Sequence, residues 1–338
     1  MSERGVDVIV HDISPAAVSL AIDYGAGRAA TDADTPALVI VAVPPDQTAS
    51  VVAAELAAFP DAVVTDVASV KSQPLEELRA AGVDTSRYVG SHPLAGRERG
   101  GVVSARADLF LGRPWVISAQ SETPAALVGV IEDLVLDLGA VPVQLGVDDH
   151  DRAVALISHA PQVVATVLAA ELLGGTERAL SLAGQGLRDT TRIAASNPEL
   201  WTQILAANSS EVAAVLRGVQ RRLEEVLGAL DDPEASGARR RIATALSAGN
   251  AGVARIPGKH GQDRKFAQLV VMVDDTPGEL ARLLTEIGDV GVNLEDLRLE
   301  HSPGAQIGLA EISVVPEAEQ RLLQELEERG WRIAGEWT

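Results

Sequence analysis

The feature that most constrains the fold is an alternation over the first 145 residues, in which strand-length apolar runs are separated by stretches of helical periodicity. The runs are 6–10 (VDVIV), 37–43 (ALVIVAV), 62–67 (AVVTDV), 88–90, 114–118 and 141–145. Helical patterns follow Ser14-Pro15 through Ala21 and cover about 47–58 and 123–138. Apolar strands without a polar face must be covered on both sides, so the alternation predicts a parallel sheet with helices on its faces.

Near residue 148 the texture changes, and long Ala/Leu/Val helical patterns run to about residue 230. In the 208–230 stretch Val212, Val215, Leu216, Val219, Leu223, Val226 and Leu227 fall on one helix face, an apolar stripe that serves either as core or as a subunit interface. Residues 231–265, rich in Gly, Arg, Asp and Pro, read as a fraying helix and a linker. Beyond them the order strand, helix, strand, strand, helix predicts a small α+β module with an antiparallel sheet.

Composition closes off several function classes. Cysteine is absent, which excludes disulfides, thiolate metal sites and cysteine nucleophiles. The formal net charge of −20 opposes binding to nucleic acid and to anionic membranes, so an anionic substrate needs a local cationic patch. No apolar run reaches the ~18 residues expected of a membrane helix, and the first twenty residues do not read as a signal peptide, so a cytoplasmic location is expected.

Several polar residues stand where chemistry would need them. His92, in Ser91-His92-Pro93-Leu94-Ala95-Gly96, follows a short strand and has a side chain suited to general base work, with an ordinary pKa of ~6.5. Ser69 lies between a strand and a helix, where it could donate to a ligand or simply cap the helix. Asp12 ends the first apolar run, as an acidic residue binding a ribose hydroxyl would, yet no G-x-G-x-x-G loop precedes it among Met1 to Gly5. Ser158, His159 and Gln162 share a helix face with Asp151. No histidine lies at i+4 from His150 or His159, so no metal site is expected. Arg188 and Arg192, four apart in GLRDTTRIAASNP, are spaced to meet on a helix and to bind a carboxylate, with Trp201 nearby.

Together these blocks resemble the prephenate/arogenate dehydrogenase family: Asp66–Lys71, SHPLAG with Ala107–Phe110 and Pro114-Trp115, His150-Asp151…Ser158-His159, and GLRDTTRIAASNP with Leu200-Trp201. Asp275-Thr276-Pro277-Gly278-Glu279-Leu280 with Gly291-Val292-Asn293 resembles an ACT domain, a small amino-acid-sensing module. The fold so implied is α/β. An N-terminally truncated Rossmann-like parallel sheet covers 1–146, an all-α dimerisation and substrate domain 147–250, a linker 251–265 and a small α+β ACT domain 266–338.

The resemblance implies an NAD-dependent oxidative decarboxylation of prephenate to 4-hydroxyphenylpyruvate in tyrosine biosynthesis. His92 would take the ring hydroxyl's proton, and Ser69 would hold that hydroxyl and the nicotinamide in register. Arg192 would grip the substrate carboxylate, Arg188 guard the entrance, Trp201 line the pocket and His159 orient the substrate. Asp12, Pro44 and Ser69 are the implied cofactor positions, and Asp275, Pro277, Gly278 and Asn293 those for a tyrosine effector. A homodimer is expected. Gln162 stands where many prephenate-specific relatives have a second histidine, which leaves arogenate open as the substrate. The absent glycine loop leaves open a catalytically impaired, amino-acid-sensing protein.

Overall fold

The computed structural model describes residues 5–96, 101–256, 266–301 and 307–334. The chain divides into two compact units: Met1–Leu173 with Thr191–Val219, and Gly174–Thr190 with Gln220–Thr338.

In the first unit, β1 (Ile9–Val10) leads through α1 (Pro15–Asp23) to β2 (Arg28–Ala29), and the two strands pair in parallel as a small separate sheet. The main sheet comprises β3 (Leu38–Val41), β4 (Val63–Asp66), β5 (Tyr88–Pro93), β6 (Pro114–Ser118) and β7 (Val141–Gln144), side by side in that order. Its connections include α2 (Pro45–Ala58), α3 (Ser72–Ala80) and α4 (Ala125–Asp137). The sheet is parallel except between β5 and β6, which are antiparallel. That pair departs from the all-parallel expectation, because an apolar run does not carry the direction of its neighbour.

Successive strand residues point to opposite faces, and the sheet has a core on each. Val64 and Tyr88 pack with Val52, Leu56, Leu75 and Leu78. Their neighbours Val63 and Val89 pack with Trp115, Ile131 and Val135 on the other side. Full burial of each such aliphatic side chain contributes about 1.5–3 kcal/mol, so the two-sided core fixes the strands that carry the site.

A helical run then covers α5 (Val147–Val154), a π-helical turn at Ala155–His159, α6 (Ala160–Glu171) and a 3₁₀ turn at Leu172–Gly174. By length and composition Val147–Gly174 could cross a membrane. Its first turns, however, carry Asp148, Asp149 and the buried His150 and Asp151, of which the last two bond Lys71 and His92 of the sheet region. Then come α7 (Glu177–Leu180), α8 (Gln185–Thr191), a 3₁₀ turn at Arg192–Ala194, α9 (Pro198–Ala207), α10 (Ser209–Leu230) and α11 (Ala238–Val253). The last corrects the expected frayed segment, since alanine and arginine sustain a helix through Gly249 and Gly252. Along α10 Val212 is buried, whereas Val219, Leu223 and Leu227 are exposed in the single chain.

The C-terminal module consists of β8 (Ala267–Asp274), α12 (Glu279–Asp289), β9 (Asp296–His301), β10 (Ile307–Val314), α13 (Pro316–Glu328) and β11 (Arg332–Ala334). Its four-stranded sheet runs β11-β8-β10-β9 and is antiparallel throughout. Leu283, Ile287, Leu322 and Leu326 from the helices cover Val271, Ala310 and Ile312 from the strands. The order matches the expectation, with β11 added.

Candidate active site

Strands β3, β4 and β5 are parallel and in register, with Val41 opposite Asp66 and Asp66 opposite Gly90. Two or three residues further along come Pro44, Ser69 and His92, which therefore share the carboxyl edge of the sheet, where open α/β sheets bind ligands. His92 is within β5 and not in a loop after it, because the strand continues to Pro93 and pairs His92 with Val116.

Below that edge lies a buried polar cluster. The Lys71 ammonium pairs with Asp66 Oδ1, while the Tyr88 hydroxyl donates to Asp66 Oδ2 at 2.6 Å and the Ala68 N–H to Oδ1 at 2.9 Å. Burial draws the Lys71 ammonium below its usual range, against the pull of Asp66. Burial and the Asp66 charge push the Tyr88 phenol well up, so it stays a hydrogen-bond donor. Gly90 makes room for this pair: a Cβ there would sit 3.1 Å from Lys71 Cδ.

Helix α3 begins at Ser72, not at Ser69, and no side chain of its own first turn caps it. Asp151 of α5 does so, accepting the Lys71 and Ser72 N–H groups at 2.9 and 2.8 Å. Asp151 Oδ1 also meets His150 Nδ1 at 2.7 Å, and His150 Nε2 lies 2.9 Å from His92 Nδ1. The Asp151 carbonyl accepts from Asn208 Nδ2 at 2.8 Å, and the same nitrogen lies 3.2 Å from His159 Nδ1. The Trp201 ring stands edge-on to His159, with ring centroids 6.0 Å apart. A run of polar contacts thus joins His92 to His159, against which the Trp201 ring stands.

The π turn explains the buried position of His159. A five-residue turn winds less per residue than an α turn, and brings His159 back over Asp151. Ser158, expected on the same face, is exposed instead. Gln162 is buried, and its Nε2 donates to Ser196 Oγ at 2.7 Å.

Burial moves the histidines down. It pushes His92 well below its ordinary value, with Lys71, His150 and His159 adding to the shift and Asp151 opposing it. Burial lowers His159 to about 4, in spite of Asp151. Burial acts to raise Asp151, but hydrogen bonds from His150, Ser72 and Lys71 prevail and hold it below the usual carboxylate range. At neutral pH the site therefore presents a neutral imidazole, ready to accept a proton, over an ionised carboxylate.

The two arginines do not share one regular helix, since α8 ends at Thr191 and Arg192 opens the 3₁₀ turn. That turn packs on α6, and Arg192 is exposed. Arg188 is exposed on α8, in the second unit. Asp12 is exposed, and its Oδ1 accepts the Ser14 N–H at 2.7 Å just before α1. Asp275, Pro277, Gly278 and Asn293 are exposed on the loops that flank α12. Among the described residues no cluster of three or more metal-ligating side chains occurs. Sequence reasoning assigned no role to Asn208, Tyr88 or the His150–His92 contact. The pairing of Asp66 with Lys71 had a faint signal in their shared block.

The fold and the site are those of an α/β nucleotide-binding enzyme with a buried histidine at the sheet's carboxyl edge. Residues 1–144 match the family described as prephenate dehydrogenase, nucleotide-binding domain, and residues 147–241 match prephenate dehydrogenase, dimerization domain. A Streptomyces niveus protein named "Probable prephenate dehydrogenase NovF" is 35% identical, over 98% of this chain and 94% of its own length. Prephenate dehydrogenase from Aquifex aeolicus, solved with hydroxyphenyl propionate and NAD+, superposes with a TM-score of 0.64 at 24% identity, covering 73% of this chain and 89% of that one. Synechocystis arogenate dehydrogenase does so with a TM-score of 0.61 at 24% identity, over 74% and 93%. The chain belongs to the prephenate dehydrogenase family.

Proposed function

We propose that this chain is an NAD-dependent prephenate dehydrogenase that works as a homodimer and answers to tyrosine through its C-terminal module. The observation that carries the reading is the placement of His92, on the carboxyl edge beside Ser69 and joined through Asp151 and Asn208 to His159 and Trp201. A base, a positioning hydroxyl and a walled pocket are what removing a hydroxyl proton from a ring substrate requires.

The residues present fit a nicotinamide dinucleotide. Pro44 and Ser69 stand on the edge shared with His92, and the exposed Asp12 carboxylate is suited to a ribose hydroxyl. The chemistry NAD supplies when bound is hydride acceptance. The protein's own part starts with His92 taking the ring hydroxyl proton while Ser69 holds that oxygen. The bond to the ring carboxylate then breaks, CO₂ departs and its electron pair closes the aromatic ring. His92 returns the proton to the phenolate, so no net proton is consumed. Arg192 holds the substrate carboxylate, Arg188 guards the entrance, and His159 orients the substrate against Trp201.

The division of labour is a nucleotide-binding part over 1–146, a helical substrate and dimerisation part over 147–250, a linker over 251–265, into which α11 extends as far as Val253 and of which 257–265 lie outside the described residues, and a regulatory module over 266–338. The two matched family regions support the first boundary. The match to a dimerization domain and the exposed Leu156, Ile157, Val167, Leu223 and Leu227 support a second copy as partner. The antiparallel βαββαβ module supports an ACT role. There Gly278, in the left-handed region at φ +99°, shapes the turn carrying Asp275 and Pro277, with Asn293 on the other loop.

One observation favours arogenate as an alternative substrate. With Nε2 of Gln162 donating to Ser196, its carbonyl oxygen is the atom left to accept from a ligand, which suits an ammonium better than a keto group. Steady-state rates with prephenate and with arogenate, each with NAD, decide between the two. Turnover of neither, with tight tyrosine binding by calorimetry, would instead support an amino-acid sensor.

A further inference from the structure

Two histidines facing each other nitrogen to nitrogen can share only one proton. His92 Nδ1 and His150 Nε2 are 2.9 Å apart, so one donates and the other accepts. The far side of His150 settles which. Its Nδ1 is 2.7 Å from Asp151 Oδ1, and an ionised carboxylate only accepts. Asp151 is held ionised by two hydrogen bonds that do not involve His92, from the Lys71 N–H to Oδ1 and from the Ser72 N–H to Oδ2.

His150 therefore carries a proton on Nδ1, and in its neutral form presents a lone pair at Nε2. His92 must answer with a proton on Nδ1, which leaves its Nε2 as the unprotonated nitrogen. We propose that His150 and Asp151 are positioning residues that fix His92 in the Nδ1–H tautomer, making Nε2 the atom that takes the substrate's proton. The proposal rests on the assignment of His92 as the base. When Nε2 is protonated, the imidazolium donates from Nδ1 into His150, whose own Nδ1–H is backed by the Asp151 carboxylate. The proton gained from the ring hydroxyl is returned to the phenolate oxygen, so the relay ends as it began.

Asp151 links this relay to the fold. The same carboxylate that orients His150 caps α3, the helix that follows the Ser69 loop. His150 is fully buried, so no water competes for its nitrogens. A structural role alone would require only that the space be filled.

The tautomer can be read without turnover. In the full chain with ¹⁵N-labelled histidine, His92, assigned by its loss in His92→Ala, is expected to show a protonated Nδ1 and an unprotonated Nε2 at neutral pH. The opposite tautomer overturns the proposal whatever the substrate proves to be. The kinetic arm uses three variants, each checked for a native-like melt. Asp151→Asn can donate as well as accept, so it permits the reversed relay and the wrong tautomer. It is expected to lower kcat by roughly 10²-fold or more with KM changed little, as mispositioned bases do. His150→Leu fills the space without an acceptor and should lose a similar factor. His150→Gln offers a carbonyl toward His92 and an N–H toward Asp151, and should stay within about tenfold of wild type. Equal impairment of the Gln and Leu variants, or wild-type kcat in Leu, overturns the relay. A wild-type chain that turns over neither prephenate nor arogenate refutes the functional assignment, while the NMR arm still decides the tautomer.

Discussion

The two sides of the candidate site are built in opposite ways. His92 is held by an unbroken series of hydrogen bonds through His150 to Asp151, and Asp151 is anchored to the start of α3. Arg192, on the proposed anion-binding side, opens a short 3₁₀ turn and is exposed. A base held in place before substrate arrives loses nothing in ordering at the moment of reaction. An exposed side chain is held less firmly than a buried one, and the cost of ordering it on a ligand falls on binding. The proton-transfer side should therefore govern kcat, and the anion side KM.

The sharpest way to break this contrast is His92→Ala. Its kcat should fall by roughly 10²–10⁴ with KM nearly unchanged, the usual worth of a general base. A loss that appears mainly in KM would place His92 among the binding groups. Next in size is Lys71→Met, which leaves the buried Asp66 carboxylate with only Tyr88 and the Ala68 N–H. Removing one partner of a buried pair costs about 3–5 kcal/mol, read as a lowered urea midpoint. A midpoint equal to wild type would show that the cluster beneath the sheet edge does not stabilise it.

The pH dependence tests the same rigidity. His159 titrates at about 4 in the fold, below its ordinary 6.5, so the unfolded chain binds the proton first as pH falls. The stability present above pH 6.5 is then lost between 6.5 and about 4, with a slope of about 1.4 kcal/mol per pH unit. His159→Gln should flatten that slope. His92 is also depressed, so kcat should hold as pH drops through 6.5. On the other side of the comparison, Arg192→Ala should raise KM by roughly 10–50-fold with kcat largely kept. A fall in kcat instead would mean that Arg192 acts in the transition state.

Those predictions rest partly on what the sequence made legible and partly on what it could not. The runs 37–43 and 62–67 declared β3 and β4, because a strand buried on both faces leaves a continuous apolar signature. Residues 208–230 declared α10 through a one-sided stripe. The two-residue β2, Arg28–Ala29, left no such trace, since its pairing depends on β1 and not on its own side chains. The direction of β6 against β5 was equally silent.

In the site, His92 stood out by its place at the end of a short strand, and His159 by the helix face it shares with Asp151 and Gln162. The His92–His150 contact did not, because it joins residues 58 apart in sequence. Nor did the π turn, which depends on how α5 and α6 dock and not on local propensity. Asn208, to which the sequence assigned no role, bridges Asp151 and His159.

The smallest expected effect lies at the boundary between the two sides. Gln162 is buried like the base side, yet its residue type bears on which substrate is bound. Its amide nitrogen is committed to Ser196, with Thr166 Oγ1 at 3.4 Å, so the carbonyl oxygen sets what the position can offer. Gln162→His replaces that acceptor with a ring able to donate, which favours a keto group over an ammonium. The ratio of kcat/KM for prephenate over arogenate should rise by roughly 3–10-fold, the scale of a single hydrogen bond. An unchanged ratio would remove Gln162 from specificity. A change carried by kcat alone would show that the position acts on the held base and not on binding, and would move the boundary between the two sides past it.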